Sequence, residues 1–302
     1  MRKHLVPGAP FFLVLLLTGC VLSPLARHTA DFSSATALVT DNSENAFRAA
    51  VRLNEQAQAS LLVARYDTNP IDPHSLKPLI DARGLAVRSE ILDGLRAYAT
   101  QLADLAGGVS SQPLDDAASA VGGNLMKLST AISAATPVGI TISPQQANAS
   151  STALKALGEF LIAHKVRSSV PKVIEEMDPS IDAITKLLLS DVSILRDQAG
   201  MDYEQLLMQQ DSFIRHAGKD LSPTERRAEI QQLPRILAAR QTTDDMLADL
   251  EKTLKELALA HHAMAAAAGK KDAESLHARL VELRASGLRL ARYYNALPVE
   301  TN

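Results

Sequence analysis

The chain reads as all-α, an elongated helical bundle with long antiparallel helices and coiled-coil-like seams. Three observations predict this. Aromatic residues make up only 4% of the 302 residues and Trp is absent, while Ala and Leu dominate where a β-rich chain would carry Val, Thr, Tyr and Trp. Apolar residues recur at steps of three and four through most of the length. Two such runs near the C-terminal end are joined only by Gly269-Lys270-Lys271, a connection so short that its helices must fold antiparallel. With 46% hydrophobic and 22% charged residues, the composition is globular and the chain long enough to bury a sizeable core.

The elements follow in order. Residues 21–29 show no sustained period, and a first helix is expected over 31–65 on Val39, Ser43, Ala46, Ala50, Leu53, Ala57 and Leu61. Pro70, Pro73 and Pro78 then remove three backbone donors and force a loop. The second helix, 85–106, carries Ile91, Leu95, Tyr98, Leu102 and Leu105 and stops at Gly107-Gly108. The third, 113–135, opens with Pro113 and Asp115-Asp116, which suit the first turn and the helix dipole. Its seam of Leu114, Ala118, Val121, Leu125, Leu128, Ile132 and Ala135 is heptad-spaced.

A fourth helix, 145–169, buries Leu154, Leu157 and Leu161 and is interrupted by Pro171. Pro179 marks the next start, and the stripe Ile184, Leu188, Leu195, Ala199, Leu206 and Phe213 predicts a helix over 180–217. Ser222-Pro223-Thr224-Glu225 has the form of a capping box. The helix it opens carries Thr243, Leu247, Leu250, Leu254, Leu257, His261 and Met264, is bent near Pro234 and stops at Gly269. The last helix, 272–296, repeats the spacing with Leu276, Leu280, Leu283, Gly287, Leu290, Tyr294 and Leu297.

The N-terminal segment carries the most specific signal. It begins Met1-Arg2-Lys3-His4, continues as an apolar run from Leu5 that contains Pro7, Gly8 and Pro10, and closes on Leu17-Thr18-Gly19-Cys20. A charged start, a short apolar stretch and small residues before a cut form a secretory signal. A spanning helix needs about 20 apolar residues, so this run is too short and too broken to be one. The four residues before and including Cys20 resemble the lipobox of bacterial lipoproteins, a resemblance confined to residues 1–21. It implies lipidation of Cys20 by a diacylglycerol, cleavage between Gly19 and Cys20, and acylation of the freed amine. Several acyl chains hold a protein permanently where one, at about 0.8 kcal/mol per buried CH₂, binds reversibly. Val21 stands where an Asp favours inner-membrane retention in Gram-negative members, so the resemblance implies the outer membrane, with the body facing the periplasm.

The expected organisation is thus a signal peptide over 1–19, a lipidated tether over 20–30, an N-terminal helical bundle over 31–170 and a long-helix hairpin region over 171–302. The last two form either two lobes or one continuous domain. Cys20 is the sole cysteine, which leaves a lipidated mature chain no disulfide and no thiolate ligand. The formal charge of −3 becomes more negative once Arg2 and Lys3 leave, and no Lys/Arg-dense stretch exists to neutralise phosphates, so nucleic acid is excluded as a partner.

Chemistry is sought and mostly not found. Glu274-Ser275-Leu276-His277 is a lone Glu-x-x-His pair that reads as a solvated face rather than half of a di-iron site. His261 lies in a heptad seam and His164 on an apolar stripe, where a hydrogen-bonded polar residue fixing register outweighs a metal ligand. Asp67, Asp72, His74 and Asp81 match no ion loop and read as turn chemistry. No nucleophile elbow, zinc helix or phosphate loop occurs. The small-residue runs Ala117–Gly123 and Ala263–Gly269 read as close helix packing. No catalytic residue, cofactor or metal is therefore assigned. The expected function is a non-enzymatic scaffold or adaptor, bound to a membrane through its lipid and to an envelope protein through its helical body. The alternatives are a helical ligand-binding or sensory module with a pocket near His164 or His261, and an envelope hydrolase with dispersed carboxylates.

Overall fold

A computed structural model describes residues 24–64, 80, 82–108, 112–133, 144–163, 170–216, 219–268 and 273–296. Among them are seven α-helices: α1 Pro24–Ala64, α2 Ala82–Gly107, α3 Gln112–Ser133, α4 Pro144–Ala163, α5 Val170–His216, α6 Pro223–Ala268 and α7 Ala273–Ala296. The all-α bundle expected from the periodicity is the fold observed. Prolines at the first position of α1, α4 and α6 preset φ where no backbone donor is needed. Ser222 caps α6 as its spacing predicts: its backbone N–H donates to Glu225 Oε2 at 2.8 Å, and its hydroxyl accepts from the Glu225 N–H at 3.3 Å. Gly108 closes α2 at φ 68°, a conformation a Cβ would strain.

Two boundaries differ from the sequence reading. The first helix begins at Pro24, so most of the segment assigned to a tether over 20–30 is helical, with Ala26 and Thr29 already buried. The break expected from Pro171 to Pro179 does not occur, because α5 runs through both prolines for 47 residues. Pro171 occupies the first turn, where its missing donor costs nothing. Pro179 is exposed, so the carbonyl of Glu175 it cannot serve faces water, while Val173, Ile174, Met177, Ile181 and Ile184 around it are buried. Packing outweighs the local penalty.

Cross-helix pairs fix the directions. Asn54 meets Asp202 and Ala57 meets Gln205, so α1 and α5 run the same way. Tyr203 pairs with Thr243 and Gln210 with Glu229, so α6 runs against α5. Lys252 with Glu282 and Arg279 with Glu256 make α7 antiparallel to α6, as the short connection predicts. Helices α1, α5, α6 and α7 thus enclose one four-helix bundle, and α2, α3 and α4 close a second layer across α1 and α5. One apolar cluster takes residues from all seven helices.

The predicted seams are the observed ones. Every position named for α6 from Thr243 to Met264 is buried, as are Leu276, Leu280, Leu283, Gly287 and Leu290 of α7. Tyr294, Leu297, Leu114, Ile132 and Ala135 lie outside the side chains described. Leu61, Leu105, Val121 and Leu206 are half-buried, and Phe213, expected inside, is 44% exposed, because no other described helix covers the ends of α5 and α6. The last buried residue of α5 is Tyr203 and the first of α6 is Thr243. Beyond them the two helices form an arm, whose α6 portion of 223–242 is about 30 Å long at 1.5 Å per residue.

Small residues do serve close packing. A Cβ at Gly122 would lie 2.8 Å from the Gly158 carbonyl oxygen and 3.0 Å from Leu161 Cβ, so α3 and α4 meet backbone to backbone. Gly123, one residue on, has nothing within 4 Å of such a Cβ. Gly123→Ala should raise stability by up to about 1 kcal/mol through helix propensity. Gly122→Ala should lower it by about 1–3 kcal/mol through overpacking, and thermal melting distinguishes the two signs. Leu254 and Leu283 are both 0% exposed, so either truncation to Ala should cost about 2–5 kcal/mol. Lys255, held to Glu251 at 2.5 Å on the surface, should cost under about 1 kcal/mol on chemical denaturation of Lys255→Ala.

Candidate functional site

The polar groups inside the bundle are arranged along α5. Asp178, Asp191 and Asp202 each face inward, and each is matched by a different set of helices. Asp191 is 2% and Arg88 4% exposed. The Arg88 guanidinium of α2 reaches the carboxylate by Nε at 2.8 Å and Nη2 at 3.0 Å, and its Nη1 donates to the Gly84 carbonyl at 2.8 Å. Burial pushes the Asp191 carboxyl upward, and Arg88 opposes it. Asp202 is 3% exposed. It accepts from Asn54 Nδ2 of α1 at 3.1 Å on both oxygens and from Gln198 Nε2 at 2.9 Å.

Asp178 carries the most elaborate arrangement. Its Oδ1 accepts the Nδ1 hydrogen of His261 at 2.8 Å, and its Oδ2 lies 2.8 Å from Nδ1 of the exposed His262. On the far side of the ring, His261 Nε2 lies 2.7 Å from the Tyr98 hydroxyl of α2. Phe32 of α1 meets the His261 ring edge-on at 5.7 Å, and Phe160 of α4 meets the Tyr98 ring likewise at 5.3 Å. Side chains of α1, α2 and α5 therefore meet the imidazole of α6, and α4 adds a contact behind Tyr98.

The geometry selects a protonation state. With Nδ1–H committed to Asp178, a neutral ring offers Nε2 as acceptor to the Tyr98 O–H, and every group is satisfied. A second proton on Nε2 would place a charge in apolar surroundings and turn the Tyr98 oxygen into the acceptor, so that the hydroxyl hydrogen loses its bond to the ring. Accordingly, burial pulls His261 below its ordinary value, against the opposing Asp178 carboxylate, while burial drives the Tyr98 phenol upward. The Asp178 carboxyl is held low, chiefly by its bond from His261. Aspartate, histidine and tyrosine in a row could pass a proton. Here Tyr98 is 1% and His261 0% exposed, so the ring is sealed by its neighbours and its committed bonds can serve as a lock on register. A buried, hydrogen-bonded histidine is what its place in the seam suggested.

Other candidates are dispersed. His277 is exposed on α7 and Glu274 begins the same helix, without an inward ligand set. His164, the Asp67–Asp81 cluster, Gly19 and Cys20 lie outside the described residues. Among the described residues no group of three or more His, Cys, Asp or Glu could hold a metal ion, and no described helix is long and apolar enough to cross a membrane. A groove of about 590 Å³ opens between α5 and α6 at the base of the arm, lined by Arg196, Tyr203, Leu237, Arg240 and Asp244 among others. Its arginines are taken: Arg196 holds Asp244 at 2.6 and 3.1 Å, and Arg240 pairs with Glu204.

Sequence reasoning missed Arg88, Asp178, Asp191 and Asp202. A signal existed for two of them, since Asp191 and Asp202 fall three residues after Leu188 and Ala199 on the stripe that defines the buried face of α5. An acid on such a stripe demands a buried partner.

The lock makes stability depend on pH. Because folding lowers the His261 pKa below 6.5, the unfolded chain takes a proton first, so stability is complete above 6.5 and falls as pH drops beneath it. His28, also lowered by burial, adds a loss of the same sign, and Asp178, held below 3.8, adds a further one in stronger acid. His261→Gln should therefore flatten, without abolishing, the fall in melting temperature between pH 7 and pH 5. Its loss of about 1–3 kcal/mol at pH 7 follows from each buried group left without a partner. No protein-family model, curated protein or solved structure matches this chain.

Proposed function

We propose that the protein is a bacterial envelope lipoprotein, anchored through Cys20 to the outer membrane on its periplasmic side, and that it acts as a non-enzymatic scaffold for another envelope protein. The observation that carries this reading is the arm. Its side chains Phe213, Ile230 and Leu237 are 44%, 48% and 50% exposed on two helix ends that, among the described residues, no other element covers. Apolar side chains gathered on a projecting element are what a partner surface requires. The lipobox-like residues Leu17-Thr18-Gly19-Cys20 supply the anchor in this reading.

The ligand-binding alternative would use the groove beside Tyr203, whose lining combines Leu237 and Leu247 with Arg196, Arg240 and Asp244. It ranks second because both arginines facing the groove already have carboxylate partners. The hydrolase alternative has less support, since the polar clusters described are buried and committed to one another.

Release from the membrane tests the proposal. A form with a cleavable signal and Cys20→Ser should keep its helical circular dichroism and melting temperature, yet fail to complement a deletion strain at normal abundance. Full complementation by the released form would overturn the anchored-scaffold reading, and turnover of an envelope substrate would replace it with the hydrolase.

A further inference from the structure

Two exposed faces of the bundle complement each other. On α5, Ile194, Met201 and Met208 recur every seven residues and are 37%, 58% and 63% exposed. Met201 lies two residues from both Ala199 and Tyr203, about 200° round the helix, so this stripe points away from α6. Three residues after each apolar position stands an acid: Asp197, Glu204 and Asp211. On α7, Val281 and Leu288 are also seven apart and are 54% and 48% exposed, opposite the seam of Leu276, Leu280, Leu283 and Leu290. Here the charges are basic. Arg284 lies three residues after Val281 and Arg292 four after Leu288, both exposed.

From this complementarity we infer that a second copy of the chain docks between these faces, the α5 stripe of one molecule against the α7 stripe of the next. The fold supplies the matching direction. Helix α6 is antiparallel to both α5 and α7, so α5 and α7 run the same way, and molecules standing alike present them to each other in parallel. In parallel pairing, like heptad positions face each other. Ile194 then opposes Val281, Met201 opposes Leu288, Asp197 meets Arg284 and Glu204 lies beside Arg292. Among the described residues Asp197, Arg284 and Arg292 have no ion pair within their own molecule, so the contact competes with none of theirs. Glu204 is already held by Arg240 and would be shared.

The contact uses different patches on the two molecules, so repetition generates a ring or a row rather than a closed pair. Like-sign faces oppose the alternatives: α5 against α5 sets acids against acids, and α7 against α7 sets arginines against arginines. The inference rests on these two faces and not on the anchor, and of the residues paired above only Glu204 lies on the arm.

Sedimentation velocity of the full chain in mild detergent tests it. The unaltered chain should associate in a concentration-dependent manner. Asp197→Lys and Arg284→Glu, each alone, should weaken association by about tenfold, equivalent to about 1.4 kcal/mol, while their combination in one chain restores it. Mixing the two single variants should also restore it, since each carries the charge that suits the other. Circular dichroism checks that the variants fold, and Met201→Gln with Leu288→Gln provides a second, uncharged disruption of the same contact. A chain that stays monomeric at all concentrations, or association indifferent to these changes, would overturn the inference.

Discussion

A carboxylate inside a helical bundle must be matched, and α5 places two there, Asp191 and Asp202, with a third, Asp178, partly exposed at the edge. Asp178, Asp191 and Asp202 lie on one helix at successive levels, and each draws in different elements: α6 and α2 at the first, α2 at the second, α1 at the third. Apolar seams alone tolerate sliding, because one leucine layer resembles the next. A buried acid does not, since a slip by one turn leaves it without its donor. Replacing a buried ion pair such as Arg88–Asp191 with apolar residues is commonly neutral or stabilising, whereas removing one partner costs about 3–5 kcal/mol. The contribution of these acids is therefore the choice of one arrangement over its neighbours. Helix α5 works as the spine against which α1, α2 and α6 are registered.

That constraint also explains why the core lies where it does. The three acids lie within the stretch from Val173 to Tyr203, the part of α5 that carries buried residues and the α5 members of the apolar cluster. Past Tyr203 the covering ends. What holds α5 to α6 at this boundary is a set of polar clasps: Tyr203 with Thr243 at 2.8 Å, Arg196 with Asp244, Arg240 with Glu204 and Gln210 with Glu229. The half-exposed ion pairs among them, Arg196–Asp244 and Arg240–Glu204, contribute about 0–1 kcal/mol each. They orient the arm without making it a second core.

The fold was legible because heptad spacing is a direct consequence of helix geometry. Leu250, Leu254, Leu257 and Met264 could be placed inside from their steps alone, and Gly269-Lys270-Lys271 left only one way to connect two helices. Three kinds of information were not legible. Pro179 looked like a break because its local cost is visible in sequence, while the buried Met177 and Ile181 that override it depend on distant helices. Phe213 fitted the stripe of α5, but periodicity identifies the face of a helix and not whether anything covers that face. The partners of His261 could not be named, since Tyr98 and Asp178 lie 163 and 83 residues away. Its seam position predicted a polar contact without predicting the atoms that make it. Of the candidate site, then, the sequence revealed one member, its burial and its need for a polar partner.

The division between spine and arm has a mechanical consequence. Local opening requires little where few apolar contacts are lost, so the ends of α5 and α6 belong to the low-stability part of the molecule, whereas the level of His261 opens only with the whole core. A surface that must fit a partner benefits from the first property, and the helices that carry it benefit from the second. Continuity of the α5 and α6 backbones joins the two: both run without interruption from the buried lock through the boundary at Tyr203 and Thr243 into the uncovered ends. Load on the arm is thereby transmitted along helix axes into a region fixed by matched charges. Bending at the boundary is resisted by two helices acting as a pair, with Gln205 donating to the Ala57 carbonyl of α1 at 2.5 Å as a third point of support. A firmly registered base with a more readily opened end thus follows from where α5 places its acids and from where the described helices stop covering α5 and α6.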